Sequence, residues 1–332
     1  LRIPGDHATR NRGVPDSVDQ MRALLGRPFQ VVAGKGGVGR TLIATALALR
    51  AARAGERVLL LEVSANDNAT RYLGVEPAVD TPREVLPNLW LCRMTPAGAL
   101  REYALLILRF RALYNLVFEN RLVKYLLRSI PSLSEVTLMG KAWYHSTEQG
   151  KDGRPRFTRI VLDAPATGHA ITMLSVSRVV ADTVPQGVLK AAAEKMADLV
   201  ESPSDTCLHL VALPEEMPVN EALELSAAAG TKLRMARGVA FLNRWHAPLL
   251  RAEDQEAFGR LTQLASPKLA PYLDAAQIRL LREKIERAHG ERLAREAGMP
   301  VLAIAEAPAD IPDPALLERV VEEIDRALGA RP

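Results

Sequence analysis

The sequence predicts an α/β fold, a mostly parallel, doubly wound sheet of about seven strands with a helical insertion. Short apolar runs recur along the chain without the polar alternation of a half-exposed strand, and Ala- and Leu-rich stretches of helical length separate them. Continuous apolar strands belong to sheets covered on both faces, and regular alternation of strand and helix is the pattern of parallel βαβ units. A glycine-rich segment, Gly34 to Thr41, falls between the first strand and the first long helix.

Residues Leu1 to Pro28 mix Pro, Gly and charge without period and are expected to form an irregular N-terminal arm (1–28), with a short helix from Val18 to Leu25. The domain proper is expected over 29–332. Phe29 to Ala33 reads as its first strand, Leu42 to Ala54 as a buried helix, and Arg57 to Val63 as the next strand, with Gly55 stopping the helix between them. Further strands are expected at Asn88–Met94, Arg159–Asp163, Cys207–Leu213, Gly238–Asn243 and Val301–Ala305. Between about 96 and 147 no strand-like run occurs. Leucines and aromatics from Leu100 to Leu127 alternate with arginines at helical spacing, which predicts a helical insertion. A second helical stretch is expected over about 251–297. Thr147 to Phe157, rich in Gly, Pro and charge, reads as an exposed loop.

Composition narrows the functional classes. The 332 residues are 48% hydrophobic, ample for a large core, and 43 basic against 39 acidic residues leave a net charge of +4 with no dense basic block. Aromatic residues make up only 5% and are not interleaved with basic ones, so no nucleic-acid partner is expected. Cys92 and Cys207 are the only cysteines and are far apart, which excludes a disulfide framework or a paired-thiol metal motif and fits a reducing cytoplasm. The longest purely apolar run in the middle of the chain, Tyr103 to Leu108, is too short to cross a bilayer, and no stable membrane insertion is expected.

The chemistry concentrates at the glycine loop. Successive backbone N–H groups in such a loop form an anion nest, and the following helix N-terminus adds partial positive charge. A P-loop normally ends in Gly-Lys-Ser/Thr, the lysine reaching the β- and γ-phosphates and the hydroxyl binding Mg²⁺. Here Arg40 occupies the lysine position, Thr41 remains, and an additional lysine, Lys35, stands second in the loop, which defines a deviant Walker A motif in a P-loop NTPase fold. The expected phosphate-binding residues are Gly34, Lys35, Gly36, Gly37, Val38, Gly39, Arg40, Thr41 and Leu42. Asp163 ends an apolar strand, where its carboxylate could serve a magnesium ion together with Thr41 or simply cap the next helix. Asn243, at another strand end, offers both a donor and an acceptor, as an adenine edge requires, though strand-end asparagines are commonly turn residues.

With these motifs on the page, the chain resembles the family of the arsenite-pump ATPase and the guided-entry tail-anchored-protein-targeting ATPases. Asp163-Ala164-Pro165-Ala166-Thr167-Gly168-His169 is similar to the family's switch II, Pro214 to Ala222 to the segment after its next strand, and Asn243-Arg244 to its strand-end asparagine that reads adenine. The resemblance implies ATP and Mg²⁺ as ligands, Lys35 and Asp163 as participants in catalysis, and a nucleotide-dependent dimer in which Lys35 reaches the phosphates of the opposite subunit. Two departures imply slow hydrolysis. Ser64 stands where the family's switch I has a water-polarising Asp, leaving Asp67 as the nearest carboxylate substitute, and the planar fork of Arg40 does not reproduce an ammonium contact.

Three functional readings follow: an ATP-driven switch working as a homodimer, a non-hydrolysing regulatory subunit in a heterodimer with an active paralogue, and a partitioning-type ATPase. The acidic C-terminal segment Pro314 to Leu328 speaks against the third, which would end in a basic amphipathic helix. With only Cys92 and Cys207, the metalloid site and the Cys-x-x-Cys zinc clasp of relatives are not expected. For the apolar positions of the insertion, a hydrophobic protein client is the alternative to packing on the sheet or across a dimer.

Overall fold

At the centre of the sheet lies β1 (Phe29–Gly34), a strand buried at every position because parallel neighbours flank both of its edges and helices cover both of its faces. The computed structural model describes residues 17–63, 68–108, 132–263, 266–307 and 312–329. Among the described residues eight strands form one sheet in the order β3-β4-β2-β5-β1-β6-β7-β8. The remaining strands are β2 (Val58–Glu62), β3 (Arg83–Leu86), β4 (Leu89–Arg93), β5 (Arg159–Asp163), β6 (Thr206–Ala212), β7 (Arg237–Trp245) and β8 (Val301–Ala305). All pairings are parallel except β3 with β4.

The expected parallel, doubly wound α/β sheet is therefore the observed one, with one strand more than the sequence suggested. The extra strand is β3, whose first two residues, Arg83 and Glu84, are exposed. It makes an antiparallel edge with an irregular register to β4, and its charge and lack of an apolar run hide it from any reading of hydrophobic pattern.

Helices sort to the two faces and enclose two core layers. One layer contains Ile43, Ala44, Leu47 and Ala48 of α2 (Arg40–Arg53), Met21 and Leu25 of α1 (Ser17–Leu25), and Leu317, Val321 and Ile324 of the C-terminal helix Pro314–Ala327. Small alanines along α2 let it lie close on β1 and β2, and Arg50 pairs with Asp325 at 2.6 Å to join it to the C-terminal helix. The opposite layer gathers Leu138 and Met139, Ala170 and Met173, Val219 and Leu225, and Leu293 against Phe29, Leu59, Leu162 and Leu210. The short helix expected from Val18 to Leu25 is thus observed as α1 and contributes to the core.

Around the expected insertion the chain forms Pro96–Leu108 and Leu133–Thr147, both helical. The leucines and aromatics from Phe110 to Leu127 lie outside the described residues. The later stretch forms helices Gln255–Gln263 and Ala270–Glu296. No helix among the described residues is long and apolar enough to cross a membrane.

The sheet order matters for function. From β1 the chain crosses to β2 and β5 on one side and to β6 on the other, so β1 borders the point where the winding reverses. Open α/β sheets bind ligands beyond the carboxyl ends of their strands at such a point. Gly34, Glu62, Asp163 and Ala212 all end strands at that edge.

Candidate functional site

Leaving β1, the loop needs glycine at specific positions. Gly37 and Gly39 have φ of 84° and 92°, the left-handed region that disfavours side chains. A Cβ on Gly34 would collide with the Val211 carbonyl of β6, so the loop can pass its neighbour strand only without a side chain there. Gly36 and Gly37 are exposed, while Val38 is buried and pins the loop to the core. Gly39 is the N-cap of α2 and accepts the Ile43 N–H at 3.1 Å. The open amides of the helix start therefore point out of the carboxyl edge of the sheet, the arrangement that favours an anion.

Thr41 and Asp163 meet. The Thr41 hydroxyl donates to Asp163 Oδ2 at 2.6 Å, and Asp163 is 2% exposed. Its other oxygen, Oδ1, is buried with no hydrogen-bond partner among the described residues. Burial drives the Asp163 carboxyl up to about 6, against the opposing pull of the Arg40 cation and the Thr41 hydrogen bond. Beside it in register sits Glu62, fully buried at the end of β2, whose Oε1 accepts the Asn68 N–H at 3.2 Å.

Arg40 does not extend freely from the loop. Its guanidinium donates to the carbonyl of Ala164, the residue after Asp163, so the first turn of α2 is joined to the segment that follows β5. That segment leads into the helix Thr167–Thr183. His169 on it is 79% exposed, with Nδ1 3.9 Å from Glu135 Oε1. Tyr72, in the helix Asn68–Leu73, lies close enough to Arg244 and Asp163 to feel both charges, and burial raises its hydroxyl pKa.

Two side chains expected to serve a nucleotide have partners within the chain. Lys35 Nζ pairs with Glu221 Oε1 at 2.9 Å, and Glu221 Oε2 accepts the Thr167 hydroxyl at 3.0 Å. Asn243, 6% exposed, donates from Nδ2 to the Val38 carbonyl at 2.9 Å. Ser64 and Asp67 lie outside the described residues. The structure thus brings Gly34 to Leu42, Asp163 and Asn243 to one edge of the sheet, with Lys35 turned onto Glu221.

Glu221 is the residue that sequence reading did not single out. It stands inside Pro214–Ala222, but nothing local distinguishes it from Glu215 or Glu216; its role comes from the helix Glu216–Thr231 passing beside β1. Cys92 and Cys207 are both buried, and burial pushes each thiol up to about 12. Among the described residues no group of three His, Cys, Asp or Glu side chains is placed to hold a metal ion.

A glycine loop on the central strand of a parallel sheet, opening into a helix whose first-turn threonine meets a strand-end aspartate, is the arrangement of a P-loop NTPase fold. Residues 28–189 match the sequence model of the anion-transporting ATPase family. The chain is 32% identical over 219 residues to ATPase BagA of Mycobacterium tuberculosis and, to the same extent, to the protein of Mycobacterium bovis named "Putative ATPase Mb3704", the match covering 63% of this chain and 62% of each relative. An uncharacterized protein of Streptomyces coelicolor is 31% identical over 157 residues, which is 47% of this chain and 37% of that protein. The match thus spans less than two thirds of the length of these relatives.

Proposed function

We propose that the chain is a nucleotide-dependent switch that binds Mg-ATP at the carboxyl edge of β1 and hydrolyses it slowly. The observation that carries this reading is the contact between Thr41 and the buried Asp163 beside a loop whose backbone only glycine permits. A carboxylate this deeply buried, with one oxygen lacking a hydrogen bond among the described residues, is costly unless a cation compensates it. Thr41 and Asp163 would hold Mg²⁺, and the backbone from Gly34 to Leu42 would cradle the phosphates. Mg²⁺ when bound neutralises charge on the phosphate oxygens.

Slow turnover is supported by the contact of Arg40. A lysine at that position ends in a compact ammonium, whereas the Arg40 fork is engaged by the Ala164 carbonyl and must give up or share that bond to serve a phosphate. Ser64, with no acid, occupies the expected water-orienting position, and Asp67 is the proposed substitute. Lys35 is proposed to act on the nucleotide of a second copy or of a paralogue in a closed dimer. The engagement of Arg40 favours the regulatory, weakly hydrolysing variant of this reading over a vigorous ATPase.

The test compares single-turnover hydrolysis with nucleotide affinity in the wild type and in Ser64→Asp/Arg40→Lys. A well-placed acid-base group contributes roughly 10²–10⁴-fold. The double variant is expected to gain a rate increase in that range with affinity changed by less than about tenfold. A wild-type rate on the order of 1 s⁻¹ or faster, within the range of ordinary enzymes, overturns the reading.

A further inference from the structure

We propose that Asn243 is a positioning residue of the phosphate loop, acting on polyphosphate binding whatever base the ligand carries. The inference rests on the nucleotide-binding reading above and deepens it, assigning to the loop a brace from a strand two places away in the sheet.

Three observations converge on this side chain. The first is the hydrogen bond itself: Asn243 Nδ2 donates to the Val38 carbonyl at 2.9 Å in a buried setting. A trans peptide points its C=O and N–H to opposite sides, so a donor that fixes the Val38 carbonyl also fixes the direction of the Gly39 N–H. That amide opens the helix start on which an anion would sit. Holding it in place before a ligand arrives lowers the ordering cost of binding.

The second observation comes from the loop. Gly39 has φ of 92°, and a Cβ built on it would clash with Asn243 Nδ2 before touching any other group. Glycine is thus required at position 39 for two reasons, its backbone conformation and the close approach of the asparagine amide.

The third lies in β7. Its register against β8 shifts between Leu242 and Trp245, and Arg244 has φ of 55°, an unusual conformation for a residue with a side chain. An irregularity of this kind re-aims side chains at the rim of a sheet, and here it falls at Asn243 and the residue after it. The strand departs from regular geometry at the position that delivers the amide to the loop. A side chain whose only role was to meet an exposed base would need neither the burial nor the contact with Val38.

The experiment measures Mg²⁺-dependent binding of ATP, GTP and inorganic tripolyphosphate to the full chain by calorimetry, for the wild type, Asn243→Asp and Asn243→Ser. Aspartate keeps the shape but presents an acceptor to the Val38 carbonyl; serine removes the reach without adding charge. Unfolding midpoints of the ligand-free proteins identify any variant that has lost its fold, and serine then carries the comparison. Loss of a buried hydrogen bond corresponds to about fivefold to a hundredfold in an equilibrium constant. The expected result is a loss in that range of equal size for all three ligands, with the ratio of ATP to GTP affinity unchanged. If tripolyphosphate binds as before while ATP alone weakens toward the GTP value, Asn243 is a base reader and the proposal is overturned. Unchanged binding of all three ligands overturns it as well. A wild-type chain that binds neither ATP nor tripolyphosphate defeats the underlying nucleotide reading instead.

Discussion

Asp163, a proposed magnesium ligand, shows what a buried charge costs the fold. It is buried at a strand end, one oxygen is satisfied by Thr41, and its carboxyl titrates near about 6 because burial outweighs the Arg40 cation and the Thr41 hydroxyl. Desolvating a charge without full compensation is unfavourable, so a neutral isostere should fold better and work worse. Asp163→Asn is expected to raise the stability of the ligand-free chain at neutral pH by about 1–3 kcal/mol, because the amide carries no charge for burial to penalise. In the same variant Mg²⁺ should cease to enhance ATP binding. Denaturant titration and calorimetry with and without Mg²⁺ check both halves; an unstabilised variant with intact Mg²⁺ dependence would contradict the assignment. Asp163 and Thr41 were legible in the sequence because their signals are local, an acid after an apolar run and a hydroxyl after a glycine loop. The contact of Asn243 with Val38 was not legible. Sequence marks a strand-end amide, but only the order of strands and the irregularity in β7 decide that it turns toward the loop.

Elements meet at the junction of the loop, the segment after β5 and the helix Glu216–Thr231. Glu221 joins them, one carboxylate oxygen on Lys35 and the other on the Thr167 hydroxyl. The Lys35 and Glu221 side chains are 35% and 25% exposed, so solvent screens the pair and it is worth about 0.2–1 kcal/mol. If Lys35 serves the nucleotide of a second copy, it must first leave Glu221. Glu221→Gln, which keeps an acceptor oxygen for the Thr167 hydroxyl but removes the charge, should therefore leave nucleotide affinity of the single chain within about twofold. Nucleotide-dependent self-association should strengthen by roughly 2- to 30-fold, the same energy counted once in each of the two copies and expressed as a ratio. Sedimentation with a non-hydrolysable ATP analogue reads this out, and weaker association in the variant would show that Glu221 instead holds Lys35 in its working position. The same scale explains what hydrophobic pattern reveals and hides. Buried strands such as β1 and β5 announce themselves as apolar runs, whereas β3 begins with two exposed charged residues and exists because β4 offers it an edge.

At the scale of the molecule, two core layers on either side of one sheet hold the strand ends in fixed positions, and the site inherits its geometry from them. One tie in this frame is sensitive to acid. His209 on β6 is fully buried; its Nδ1 accepts the Val239 N–H at 2.9 Å and its Nε2 lies 3.3 Å from Cys207 Sγ. Cys207 in turn contacts the Leu24 carbonyl at 3.4 Å, so the pair connects β6 to both β7 and α1. Burial, with the Arg27 and Arg159 cations nearby, lowers the His209 pKa to about 3. An unfolded histidine titrates near about 6.5, so between these values the unfolded chain binds a proton that the folded chain refuses. Stability should accordingly be full above about pH 6.5 and fall as pH drops toward 3, this one group contributing about 1.4 kcal/mol per pH unit. Carboxylates titrate in the lower part of the same window, and the histidine is isolated by comparison with His209→Gln. That variant should be less stable than the wild type at pH 7, where a well-packed neutral ring is lost. Its stability should decline less steeply on acidification, by about 1.4 kcal/mol per pH unit between pH 6 and 4, so the two curves converge. Denaturation midpoints at a series of pH values decide the matter: parallel curves would mean that His209 accepts its proton in the folded chain and that the link between α1 and the sheet survives acid.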